Sequence, residues 1–175
     1  MYKFATSPDS LTKIITICVA ALAVGLVITG VVTYYKAGRQ PAVLIGSMLG
    51  PAIIVVLMIA MYLFRPRELQ IDAIGITVDK MVKPRHIDFS EIISIRKAET
   101  GEMAGAIRTF GNGGLFGYTG LYYNRQLGRM RWFCTQRKNY VIIDTKNKKR
   151  IIITPDQPDD LLQTISTLHP NLATK

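Results

Sequence analysis

Two uninterrupted apolar runs dominate the first third of the chain, Ile14–Tyr35 and Val43–Phe64, with only Lys36–Ala42 between them. Each is 22 residues long. As helix such a run rises about 33 Å, against a hydrocarbon core about 30 Å thick. No charge interrupts either run and neither has a polar stripe. The pattern therefore predicts a membrane-spanning helical hairpin rather than two amphipathic helices on a soluble core. The rest of the chain is too small both to wrap two such helices and to build a core of its own. The first run is too long for a cleaved leader, and a second span follows at once. Met1–Lys13 reads as a short polar tail, and Pro51 is expected to kink the second helix.

Beyond Arg65-Pro66-Arg67 the period changes. Pro66 disfavours helix at the preceding residue, so the second span ends there and Arg65–Arg67 is a three-residue linker. Alternating apolar positions then predict strands over Glu68–Asp72, Ile76–Val82, Arg85–Phe89 and Ile92–Ala98. Thr100–Ile107 is ambiguous. Leu121–Arg125 and Arg129–Gln136 flank a turn, and Asn139–Thr145 with Lys148–Thr154 form another hairpin. In Arg129–Gln136, Met130, Trp132 and Cys134 share one face, which leaves the arginines outward. Gln157–Leu168 reads as a helix capped by Asp156, with Pro158 in its first turn and Leu161, Leu162, Ile165 and Leu168 on one face. The predicted class is α+β: a transmembrane hairpin, then an antiparallel barrel or sandwich of about seven strands over Glu68–His169, capped by a C-terminal helix, with Pro170–Lys175 as a tail.

Gly111–Gly120 holds five glycines in ten residues. It implies positive-φ positions or close backbone approaches, and it reads as a loop pinned by Phe110, Phe116 and Tyr118. Gly111, Asn112, Gly113, Gly114, Phe116, Gly117 and Tyr118 are candidate docking-loop residues. Within the spans, Ala21, Gly25 and Thr29 recur every four residues, and Gly46 and Gly50 form a GxxxG pair. Such faces let helix backbones approach. They are expected to pack the hairpin on itself, or else to mediate self-association or docking on another membrane subunit.

Charge adds a location and a candidate surface. The formal net charge is +10, and Gly105–Thr154 carries 10 Lys and Arg against Asp144 alone. Arg108, Arg125, Arg129, Arg131 and Lys138 are the candidate lipid- or partner-binding residues. Each Lys or Arg near an anionic membrane contributes about 1 kcal/mol, although a charge run also serves simply as a solvated face. Lys and Arg flanking the spans exceed those in the connecting loop. This predicts both termini and the soluble domain on the cytoplasmic side of an inner membrane.

The run Ile107-Arg108-Thr109-Phe110-Gly111-Asn112-Gly113-Gly114-Leu115-Phe116-Gly117-Tyr118, with Leu127-Gly128-Arg129 and Thr154-Pro155-Asp156 after it, resembles bacterial pleckstrin-homology-like (PH) domain proteins. The two-span hairpin ahead of it is similar to theirs as well. The resemblance covers roughly Glu68–Leu168. It implies two nearly orthogonal antiparallel sheets, seven strands, a capping C-terminal helix and a bacterial inner-membrane location. It brings no mechanism with it. Lys80, Lys83 and Arg85 do not align with the phosphate-binding pattern of eukaryotic PH domains.

No catalytic constellation emerges. The glycine run lacks both the Rossmann third glycine and a P-loop Gly-Lys-Ser/Thr, and it precedes a strand rather than a helix. His86 and His169 are isolated, Cys18 and Cys134 cannot pair, and Cys134 has no neighbour at metal spacing. No cofactor is expected. Arginines interleaved with Tyr122, Tyr123, Trp132 and Phe133 could suit nucleic acid, but a tethered domain meets lipid first and aromatics are common sheet residues, so nucleic acid is not expected. The expected function is a non-catalytic membrane-anchored module that recruits or regulates a protein partner. Recognition of anionic lipid headgroups is the alternative, and an enzyme is a more distant third.

Overall fold

The computed structural model describes residues 1–170 and 172–174. A strand β1 (Tyr2–Ala5) precedes helices α1 (Ser10–Lys36) and α2 (Pro41–Phe64). α1 starts ahead of the first apolar run because Asp9 caps it, its carboxylate accepting from the Thr12 N–H at 2.8 Å. α2 starts on Pro41, whose fixed φ suits a first helical position. Both helices are long and apolar enough to cross a membrane, and most of each lies exposed. A core helix of a soluble protein would be covered, so the exposure supports a hairpin anchor.

The helices meet on a different side from the one the small residues suggested. Ala23 and Gly30 are the buried positions in the span of α1, and Pro51 is the buried position of α2. A Cβ on Gly30 would lie 2.5 Å from Met48 Cε. Ala21, Gly25, Thr29, Gly46 and Gly50 are all exposed, and a Cβ on Gly25, Gly46 or Gly50 would meet nothing within 4 Å. Thr29 satisfies its own hydroxyl on the Gly25 carbonyl. An all-apolar helix has no polar side to mark its packing face, so the local pattern left the seam undetermined.

β2 (Glu68–Ile71), β3 (Gly75–Asp79) and β4 (Arg85–Asp88) lead through a 3-10 turn, Phe89–Glu91, into β5 (Ile92–Lys97). Then follow β6 (Ile107–Gly113), β7 (Tyr118–Asn124), β8 (Gly128–Cys134), β9 (Val141–Thr145), β10 (Arg150–Ile153), α3 (Pro158–Leu168) and β11 (Ala173–Thr174). One sheet runs β1-β2-β3-β4 and the other β11-β5-β9-β10-β8-β7-β6. They form a sandwich and not a closed barrel. Leu69, Ile71, Ile76, Val78 and Ile87 of the first sheet pack against Ile95, Phe133, Val141, Ile143, Ile151 and Ile153 of the second, with Leu161 and Ile165 of α3 sealing that core. The second sheet's other face carries its own cluster: Tyr118, Tyr122, Met130, Trp132, Cys134, Ile142 and Ile152.

Several local expectations change. The N-terminal tail is a strand, with Tyr2–Ala5 antiparallel to Glu68–Ile71. The glycine run is no loop but a hairpin, β6–β7, turning at Gly114–Gly117. Gly111 and Gly120 face each other there at φ +114° and +130°, and a Cβ on Gly120 would lie 2.2 Å from the Phe110 carbonyl oxygen. The glycines thus allow a close strand pairing. β8 and β10 pair in parallel, although both sit among hairpins. Asp156 does not cap α3. Gln157 occupies that position, and the Asp156 carboxylate accepts instead from Ser7 N–H at 2.9 Å and Ser7 Oγ at 2.6 Å.

Candidate functional site

The glycine hairpin, expected as a docking loop for a partner, packs on this chain's own N-terminal helices. Its turn lies on α1 and α2: Phe116 N–H donates to Thr16 Oγ1 at 3.1 Å, and the Phe116 ring meets Tyr62 edge-on at 5.4 Å. Gly114 leaves room only for Ile15, whose Cδ1 would lie 2.6 Å from an added Cβ. Asn112 holds the turn through the Leu115 backbone, and Tyr118 reaches Asp9 at 3.5 Å. The C-terminal end of β8 joins the same latch, since Thr135 carbonyl accepts from Asp9 N–H and Thr12 Oγ1, and Arg137 N–H donates to Asp9 Oδ2 at 3.0 Å. Burial works against the Asp9 carboxylate, but the hydrogen bonds from Thr12 and Arg137 outweigh it and hold its pKa below the usual value. On the other helix, Val82 N–H donates to the Leu63 carbonyl, and the Arg65 guanidinium lies 4.3 Å from the Tyr62 ring centre.

The other end of β8 is open. Register places Phe110, Leu121, Arg131 and Ile151 in one cross-strand row, and Ile107, Tyr123 and Arg129 in the next. Directly opposed residues share a face. This is the face that, over β5, β9 and β10, packs on the four-stranded sheet. The cover runs out along the row, with exposure rising from 3% at Ile151 to 42% at Leu121 and 75% at Phe110. Ile107 and Tyr123 are exposed beside them.

A cavity of about 350 Å³ lies at this margin, lined by Arg85, Leu121, Arg129, Arg131, Lys148, Lys149 and Arg150. Arg150 alone of these cations has a carboxylate partner among the described residues, Asp144 at 2.6 Å. Lys80 approaches from the β3–β4 turn, its ammonium 5.0 Å from the Phe133 ring centre. Burial, then the positive charges of Arg131 and Arg85, push its pKa down. Arg131 and Arg85 thus add positive charge where burial already disfavours the Lys80 ammonium.

The basic residues singled out in the sequence divide accordingly. Arg129 and Arg131 line the cavity. Arg125 sits in the β7–β8 turn, and Arg108, opposite Tyr122, belongs to the other face of the sheet. Lys138 lies near the start of α1, with Arg137. Arg85, Lys148, Lys149 and Arg150 join the cavity without having been marked. The Lys148-Lys149-Arg150 run at a hairpin turn was the available signal, but its partner strands lie far away in sequence. No group of three or more His, Cys, Asp or Glu that could hold a metal occurs among the described residues.

The family model described as Bacterial PH domain matches residues 67–168. The chain belongs to this family. Neither a curated protein nor a solved structure matches it. The PH match begins at the α2 exit and ends with α3, so it takes in both sheets apart from their terminal strands, β1 and β11.

Proposed function

We propose that this PH-domain protein is a non-catalytic, membrane-anchored interaction module, and that it recruits an acidic segment of a protein partner onto the uncovered face of β6–β8. The observation that carries the reading is the cross-strand row itself. A face that is core at Ile151 becomes an exposed apolar patch at Leu121 and Phe110, bordered by Arg129 and Arg131, which have no ion pair among the described residues. Apolar surface rimmed by charge marks interaction sites. Buried area supplies affinity there and the cations select the partner and speed encounter. The excess of Lys and Arg flanking the spans supports a position for the domain on the cytoplasmic side of the inner membrane.

A photoreactive amino acid at Leu121, in the full chain in its native membrane, tests this. The expected product is one discrete protein adduct whose crosslinked segment is acidic. It should be lost in Arg129→Glu with Arg131→Glu while a probe at Ile93 gives none in either. A second reading, anionic lipid headgroups on the same cations, is favoured by the three-residue linker that keeps the domain beside the bilayer. Crosslinking to lipid alone would replace the first reading by the second.

A further inference from the structure

The second face of the seven-stranded sheet carries a separate cavity, on the opposite side from the partner-docking surface. Here no second sheet covers the strands. Tyr122, Trp132 and Tyr140 form an aromatic wall, and the segment between β5 and β6 arches over it, leaving a space of about 590 Å³. Trp132 stacks on Tyr122 with ring centres 4.1 Å apart, and Tyr140 tilts against it at 5.4 Å. Burial pushes the Tyr122 hydroxyl up to about 12 and raises Tyr140 as well, so both stay neutral.

The arch is built and not merely draped. Asn124 Nδ2 donates to the carbonyls of Glu102 and Ala104 at 3.0 and 2.9 Å, Ala98 N–H donates to the Tyr140 carbonyl at 2.9 Å, and Arg96 grips Glu102 through two hydrogen bonds. Gly101 and Gly105 take the positive-φ corners at +83° and +70°. The hydrogen bond to Arg96, working against burial, holds the Glu102 carboxyl below its usual range and so favours the charged pair that ties the arch to β5. A hollow that joins an aromatic wall to a few convergent polar groups has the ingredients of a small-ligand site.

Two observations define the ligand. Trp132 is 3% exposed, and its indole N–H, a donor with no acceptor function, has no hydrogen-bond partner among the described residues. Buried donors are otherwise nearly always paired. Around the opening stand Arg137, Lys138 and Lys97. Lys97 is neutralised by Asp159, at 2.8 Å, while Arg137 and Lys138 have no carboxylate partner among the described residues. Glu99 is the single acid in the lining, and it forms no salt bridge among the described residues.

We propose that this cavity binds a small organic anion with a flat apolar body, a carboxylate of aromatic type. The body lies against the aromatic wall, an anionic oxygen accepts from Trp132 Nε1–H, and Lys138 and Arg137 supply the countercharge. The site is independent of the partner-docking face.

Trp132 is the chain's single tryptophan, so its indole N–H gives one resolved nuclear resonance in the full-length, detergent-solubilised, nitrogen-15-labelled protein. Benzoate is the probe, with benzamide as its uncharged counterpart and inorganic phosphate as the anion without a ring. The expected result is a saturable downfield shift of the indole proton with benzoate, half-complete at about 1 mM. Benzamide and phosphate should give at least tenfold weaker responses. Lys138→Glu should weaken benzoate at least tenfold while leaving the amide spectrum of the sheet in place, and Arg129→Glu should change nothing. No saturable shift, an equal response to benzamide or phosphate, or an unchanged response in Lys138→Glu would each overturn the assignment. Because the partner crosslink at Leu121 reads the other face, loss of either result leaves the other standing.

Discussion

The two ends of β8 are finished in opposite ways. At Thr135 the strand runs into a closed set of hydrogen bonds with Asp9, Thr12 and Arg137, backed by the glycine turn on Thr16 and Tyr62. Six residues back, about 20 Å along an extended strand, Arg129 stands exposed with no ion pair among the described residues. One end is engaged by the chain's own anchor and the other is left open. The anchored end fixes how the domain sits on its helices, and the open end holds the chemistry for something outside the chain.

Substitutions can probe that division. The largest effect is expected midway between the ends. Gly120→Ala puts a Cβ 2.2 Å from the Phe110 carbonyl at φ +130° and should cost about 3 kcal/mol or more, read as a loss of thermal midpoint in detergent. Asp9→Ala removes the α1 cap and the Arg137 contact and should cost about 2 kcal/mol. Because the folded-state pKa of Asp9 is depressed, its contribution is fully present above the ordinary carboxylate range near pH 4. It is lost as pH falls through the lower folded value, so Asp9→Ala should flatten the acid limb of a stability-against-pH curve. Within the hairpin, Gly30→Leu overpacks the seam against Met48 and should cost about 1–3 kcal/mol. Gly50→Leu, pointing outward, should leave the fold unchanged and lower any self-association measured by crosslinking in membranes. Smallest of all, Arg129→Ala should shift stability by no more than about 0.5 kcal/mol. A large loss there would show that the open end is structural after all.

What the sequence disclosed follows from how local each signal is. The apolar runs, the β2–β5 alternation and α3 with Leu161 and Ile165 inward are patterns within one element, and they held except at Ile93 and Leu168, which are exposed. β1 is four residues of ordinary alternation whose partner, β2, lies beyond both spans, so nothing near it announces a strand. β6 was hidden because glycines signal turns, whereas Gly111 and Gly120 are required by each other across a pairing. The parallel joining of β8 to β10 places Arg131 beside Ile151. Only that register reveals that the arginines sit at the edge of a core face. Arg129 and Arg131 stood out by composition, but Arg85 and Lys148 become their neighbours only through the folding of the sandwich.

The first strand has a consequence for biogenesis. Residues 2–5 leave the ribosome well before β2, yet the two must pair edge to edge. With both helices crossing the bilayer, the two strands meet on one side only after the second crossing. A polypeptide stalled after one crossing would hold Tyr2–Ala5 and Glu68–Ile71 on opposite sides, with the small sheet one strand short and its β2 border open to proteases. On a hairpin that spans the bilayer, completion of that sheet therefore waits for the second crossing.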